Sequence, residues 1–122
     1  MADVNQMLQW TFYEEVTVPE EMQDMMVAGE KAYAAYKTVR DVEVVTNKRF
    51  IIADKQGITG KKTEIYTIPF KSIDMYSSEN AGRLDFNAEL ELWTRSGRCK
   101  LNVNKKVDVR KLDKIIAENI LN

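Results

Sequence analysis

The amino-acid sequence predicts a mainly β domain: antiparallel strands forming a small barrel or sandwich, with one C-terminal helix packed over an open end. Three observations carry that prediction. Residues 84–103 alternate apolar and polar side chains in two arms around a turn. The stretch from Tyr33 to Ser78 is rich in β-branched and aromatic residues punctuated by turn signals. Residues 107–122 carry an apolar stripe at helical spacing.

The elements follow in chain order. Residues 1–16 read as a helix, because Val4, Met7, Leu8 and Phe12 fall near the 3.6-residue period, with Trp10 and Tyr13 off that stripe. "TVPEEMQDMMVAGEK" reads as a second helix. Pro19 is tolerated in its first turn, Glu20 and Glu21 suit the positive end of the macrodipole, Met22, Met25 and Met26 form an apolar face, and Gly29 is a stop. Strands are expected near 33–40, 42–46, 49–54, 63–69 and 73–78, with the glycines of "KQGITGKK" permitting a tight turn. In "GRLDFNAELELWTRSGRCKLNVN" a two-residue turn at Ser96-Gly97 would pair Arg95 with Arg98, Thr94 with Cys99, Leu92 with Leu101 and Leu90 with Val103. The final helix has Asp108 as N-cap and Val109, Leu112, Ile116 and Ile120 as its buried stripe, widened by Ile115.

Composition narrows the function. The 122 residues are enough for one domain that buries about two-thirds of its unfolded surface. A formal net charge of -1 supplies no global field toward nucleic acid or membrane, so none is expected with nucleic acid. Histidine is absent, which removes Ser-His and Cys-His nucleophile pairs and the commonest metal ligand. No catalytic residue, cofactor or metal is expected. The lone Cys99 cannot form an internal disulfide and fits a reducing cytoplasm; Asp3 and the lack of an early basic cluster argue against a signal peptide.

"AYKTVRD", "TNKR", "DKQGITGKKTE" and "IPFKSI", taken with this element order, resemble the bacterial pleckstrin-homology (PH)-like family over residues 29–121. The family is a set of small prokaryotic domains of mostly unknown function. The resemblance implies seven antiparallel strands in a partly open barrel, a C-terminal helix plugging one end, and assembly into homo-oligomeric rings. On that frame residues 1–29 form an N-terminal helical extension and residues 30–122 the barrel domain. Eukaryotic PH domains that bind phosphoinositides carry a basic motif across their first two strands. Here "YKTVRDVEVV" offers Lys37 and Arg40, followed at once by Asp41 and Glu43, so that motif is missing.

Two groups of side chains are candidate sites. Lys48, Arg49, Lys55, Lys61 and Lys62 could form a basic rim for anionic lipid head groups, against the plainer reading of solvated loop tips that protect strand edges. Trp10, Phe12 and Tyr13 on the first segment, and Trp93 on the polar face of its strand, could form an interface with another subunit, against the plainer reading of packing on their own barrel. Residues 1–16 contain Asp3, Glu14 and Glu15 but no Lys or Arg, which disfavours membrane insertion. Glu89 and Glu91 share a wet strand face, where nothing would tune them for acid–base work, and Cys99 points with Leu101 and Val103 toward the core. The expectation is a non-enzymatic cytoplasmic binding or assembly module that self-associates into a homo-oligomer or meets a protein partner. A peripheral binder of anionic lipid head groups is the alternative.

Overall fold

The computed structural model describes residues 7–56, 61–80 and 87–122. Among these, nine strands and two helices follow in the order β1 (Met7–Phe12), β2 (Glu14–Val16), α1 (Glu20–Gln23), β3 (Ala32–Lys37), β4 (Val42–Thr46), β5 (Arg49–Gln56), β6 (Lys62–Pro69), β7 (Ile73–Glu79), β8 (Ala88–Thr94), β9 (Gly97–Val103) and α2 (Val109–Leu121). They build a four-stranded sheet in the order β1-β9-β8-β7 and a five-stranded sheet in the order β2-β3-β4-β5-β6. The chain turns from one sheet to the other at two corners. Tyr13 joins β1 to β2, and a 3₁₀ turn at Phe70–Ser72 joins β6 to β7.

Strands β3 to β9 are the seven predicted from the sequence. Residues 7–16 are not helical, and the N-terminal helical extension is corrected there to a pair of strands that complete both sheets, while residues 1–6 lie outside the described residues. β1 runs parallel to β9, with Leu8 opposite Cys99 and Phe12 opposite Val103. β2 runs antiparallel to β3, with Glu15 opposite Tyr36. The physical reason is the period: Trp10 and Phe12 are buried and Leu8 packs against the same core, while Gln9 is exposed. That is a two-residue repeat, and it explains why Trp10 fell off a helical stripe. The second helix is also shorter than its sequence suggests. It makes a single turn after Pro19, and the chain then runs on through Gly29, whose φ of 78° suits a residue without a Cβ.

The β8–β9 hairpin forms, but its register differs from the expected one by two residues. Thr94 pairs with Gly97, Leu92 with Cys99, Leu90 with Leu101 and Ala88 with Val103, so Arg95 and Ser96 make the turn. The Thr94 hydroxyl accepts from the Ser96 amide at 3.2 Å and donates to the Gly97 carbonyl at 2.9 Å. Gly97 itself takes φ 144°, a value a side chain would resist. A two-residue shift keeps every side chain on its face, so the alternation alone could not choose between the registers. The "GITG" turn, and Leu84 and Phe86 of the expected strand, lie outside the described residues.

The core fills the space between the sheets and under α2. Phe12, Tyr36, Phe50, Ile52, Leu90, Leu92, Leu101, Leu112 and Ile116 are all fully buried. Aromatic pairs bind the layers: Phe12 stacks on Tyr36 with centroids 5.4 Å apart, and Trp10 meets Tyr66 edge-on at 5.2 Å. α2 starts as expected, with the Asp108 carboxylate accepting from the Lys111 amide at 3.2 Å.

Phe12→Ala is expected to destabilise the protein by about 3–5 kcal/mol, as for other buried phenylalanines. Urea unfolding measures this; a change within about 0.5 kcal/mol would instead suit a residue outside the core.

Candidate functional site

The two sheets treat their outer faces differently. The outer face of the five-stranded sheet is apolar, with Ala35, Val44, Ile51 and Ala53 buried, and residues of the 16–26 segment cover it. Met22 is buried there and Val16, Val18, Met25 and Met26 pack around it. Unbranched methionine side chains suit such a cover, because they adapt to an irregular surface.

One ion pair pins that cover. Arg49 Nε lies 2.8 Å from Glu30 Oε2 and its Nη2 donates to Glu30 Oε1 at 3.0 Å, a bidentate contact. Arg49 also donates to the Met25 carbonyl at 3.0 Å and to the Thr67 hydroxyl at 3.1 Å. Glu30 further accepts from the Thr46 hydroxyl at 2.7 Å and the Val27 amide at 3.0 Å. Chiefly through the Arg49 hydrogen bond, its pKa is held down from 4.5 to about 2.

This geometry divides the basic rim. Arg49 is occupied inside the fold, whereas Lys48, Lys55, Lys61 and Lys62 are exposed. Lys48 sits at the β4–β5 turn and the other three at the far end of the β5–β6 hairpin. Lys55 lies seven residue steps beyond Lys48 along β5, roughly 23 Å. That exceeds the Debye length of about 8 Å at physiological salt, so the rim does not act as one field. Pairing of Gln56 with Lys62 and of Lys55 with Thr63 also sends Lys55 and Lys62 to opposite faces of the sheet.

Among the described residues, the outer face of the four-stranded sheet has no apolar cover like that of the 16–26 segment. Met75, Trp93 and Arg98 lie side by side across β7, β8 and β9. The next row holds Ser77, Glu91, Lys100 and Gln9, and the row beyond it Glu79, Glu89, Asn102 and Thr11. Met75 is 56% exposed, and Trp93 is half-buried beside it. Lys100 Nζ lies 2.6 Å from Glu89 and Arg98 Nη1 lies 3.5 Å from Glu91. Both glutamates considered for acid–base work are thus engaged with cations. Of the other candidate interface residues, Trp10 and Phe12 belong to the core of their own chain, and Tyr13 stands 40% exposed at the corner.

A cavity of about 480 Å³ opens where the β8–β9 turn faces the end of β6, with Leu8, Tyr66, Ile68, Pro69 and Cys99 among its walls. Burial pushes the Cys99 thiol up to about 12, so it is held protonated and unreactive. No carboxylate is among the cavity's lining residues. Sequence reasoning noted Glu43 only as an acid that breaks the basic motif, and missed that it is fully buried inside the barrel. Its signal was present in "DVEVV", where strict alternation puts it on the inner face with Val45.

Comparison with known proteins sets the frame for these surfaces. A family model described as the bacterial PH domain matches residues 3–120. The chain belongs to this family. Two similar proteins of Bacillus subtilis (strain 168) are both uncharacterized. YjqA is 55% identical over 76 residues, which span 62% of this chain and 61% of that protein. YozO is 28% identical over 104 residues, 85% of this chain and 90% of that protein. Among solved structures, a DUF1696 family protein with a pleckstrin-homology domain from Shewanella loihica PV-4 superposes with a TM-score of 0.76 at 38% identity, covering 88% of this chain and 96% of that one. A pleckstrin homology domain from Shewanella amazonensis SB2B gives 0.64 at 38% identity, with 84% of each chain covered. The two sheets and the C-terminal helix are therefore a bacterial PH fold, its barrel not fully closed.

The Glu30 carboxylate carries a pH signature. Its folded pKa lies below its unfolded one, so its contribution is present above 4.5 and lost as pH falls toward about 2. Glu30→Gln is expected to lower the urea midpoint near neutral pH and to flatten the acid side of the midpoint-versus-pH curve. An unchanged acid limb would contradict the clasp.

Proposed function

We propose that this bacterial PH domain is a non-enzymatic binding and assembly module that self-associates through the outer face of its four-stranded sheet. The observation that carries this reading is the Met75–Trp93–Arg98 row. The equivalent face of the other sheet is covered by its own chain, whereas this row leaves a methionine and part of a tryptophan in water. The same face holds the acids Glu79, Glu89 and Glu91 beside the bases Arg98 and Lys100, so it can complement a second copy of itself across a two-fold axis. Aromatic and Arg side chains are the types that anchor interfaces. The binding role is further supported by the cavity, which pairs no acid with a base, and by a thiol that burial keeps inert. No helix among the described residues is long and apolar enough to cross a membrane. A single reduced cysteine suits the cytoplasm, where we place the module.

Light scattering over a concentration series tests the assembly. The wild-type mass is expected to exceed that of the monomer, and Trp93→Glu is expected to return it to the monomer with an unchanged circular-dichroism spectrum. A monomer at every concentration overturns the reading.

The second reading, a peripheral binder of anionic lipid head groups, keeps one supporting observation. Lys55, Lys61 and Lys62 remain exposed together at one end of the β5–β6 hairpin. If they act on a membrane, each contributes on the order of 1 kcal/mol. The protein should then float with anionic vesicles and not with neutral ones, and changing all three to Glu should abolish flotation. Salt-insensitive or absent flotation rules it out.

A further inference from the structure

Glu43 is the second residue of β4, between Val42 and Val44, and faces the interior between the two sheets. Its cross-strand neighbours are Tyr36 on β3 and Ile52 on β5, and all three are fully buried. Neither carboxyl oxygen of Glu43 has a hydrogen-bond partner among the described residues, and neither does the Tyr36 hydroxyl. Interiors seldom leave such groups unpaired, and an ionised carboxylate without a cation is the hardest of them to bury. Arg49, the nearby basic residue of β5, is committed to Glu30 at the other face of the sheet.

The titratable groups around this pair all oppose a negative charge there. On β3, Tyr36 is a phenol that burial holds neutral. On β9, Cys99 is a thiol raised by burial and, secondarily, by Glu43. Glu15 on β2 and Asp108 ahead of α2 are acids whose charges, after that of Glu43, reach Tyr36. β5 and α2 contribute Ile52, Leu112 and Ile116 to the interior, none of them charged. Burial alone raises Glu43 well above the ordinary carboxylate range.

We propose that Glu43 is a proton-dependent latch inside the barrel: the two sheets close over it only while its carboxyl is protonated, and its ionisation opens the interior to water. The sign follows from where the proton sits. The closed barrel holds the proton that the open chain releases above about 4.5. Closure is therefore fully favoured below that value and weakens as pH rises toward the raised folded value. This is the reverse of Glu30, which stabilises on the alkaline side of its transition. The latch needs no ligand and holds whether or not the protein self-associates.

Cys99, 4% exposed and the single cysteine of the chain, reports the opening. Its labelling by a thiol reagent is measured from about pH 6 to pH 9 and divided by the rate of the urea-unfolded chain at each pH, which removes the thiol's own titration. In the wild type the normalised rate is expected to rise by up to about tenfold per pH unit. In Glu43→Gln, which keeps the shape and loses the titration, it should stay level. Glu43→Leu provides the same comparison if the amide variant does not fold, and its thermal midpoint should likewise be independent of pH over this range. Parallel profiles for the wild type and both variants would overturn the latch, as would a level profile in the wild type.

Discussion

The corner at Tyr13 is the constraint on which the rest of the molecule depends. Before it, β1 lies along β9 in one sheet; after it, β2 lies along β3 in the other. The Tyr13 amide donates to the Lys37 carbonyl at 2.8 Å, and the Asn104 amide donates to the Phe12 carbonyl at 2.9 Å, so each side of the corner is tied to a different sheet. With the 3₁₀ turn at Phe70–Ser72 making the opposite corner, the chain links both ends of both sheets. The aromatic pairs Trp10–Tyr66 and Phe12–Tyr36 then fill the angle between them. The interior that isolates Glu43 and Cys99 exists because this first segment supplies its share of the wall.

Once that wall is in place, chemistry divides by face. Glu30 and Glu43 are the same residue type with opposite ionic character. Glu30 meets a bidentate guanidinium, a hydroxyl and an amide, and keeps its charge. Glu43 meets apolar side chains and a phenol that offers it no hydrogen bond, and gives its charge up. Arg49 is the reason for the first outcome, and its engagement there removes it from any surface role. The side that the 16–26 segment does not reach keeps its polar and apolar side chains at the surface.

Much of the architecture was legible in the sequence, and the misses have specific physical causes. The seven strands from β3 to β9 were readable because β-branched and aromatic runs ended at real turns, and α2 because Asp108 and a three-to-four-residue stripe marked it. β1 was misread because Met7, Leu8 and Phe12 satisfy a helical period over a short window, while the competing alternation of Leu8, Trp10 and Phe12 is only three residues long. The hairpin register was missed by two residues because faces, unlike partners, are insensitive to an even shift. The basic rim divides as its two turns suggest: Lys48 lies at the β4–β5 turn and Lys55, Lys61 and Lys62 at the far end of the β5–β6 hairpin, while the withdrawal of Arg49 to Glu30 depended on a distant partner that the sequence does not reveal. The place of Trp93 on the outer face was legible because it interrupts a polar row. Glu43 was read only as an acid that breaks a basic motif, because its burial shows only once the strand is seen to be covered on both sides.

The parallel pairing of β1 with β9 also sets a timetable for making the protein. Leu8 is synthesised about ninety residues before its partner Cys99. Until that strand has been synthesised, the first apolar segment has no edge to add to and must wait in solution or in the care of a chaperone. Contacts this distant in sequence carry a large loop-closure entropy and slow the search for the native topology. The five-stranded sheet, by contrast, can pair strand by strand as it emerges through four successive antiparallel neighbours. The barrel would thus be assembled from one half made in sequence order and another that can be completed only once β9 has been synthesised.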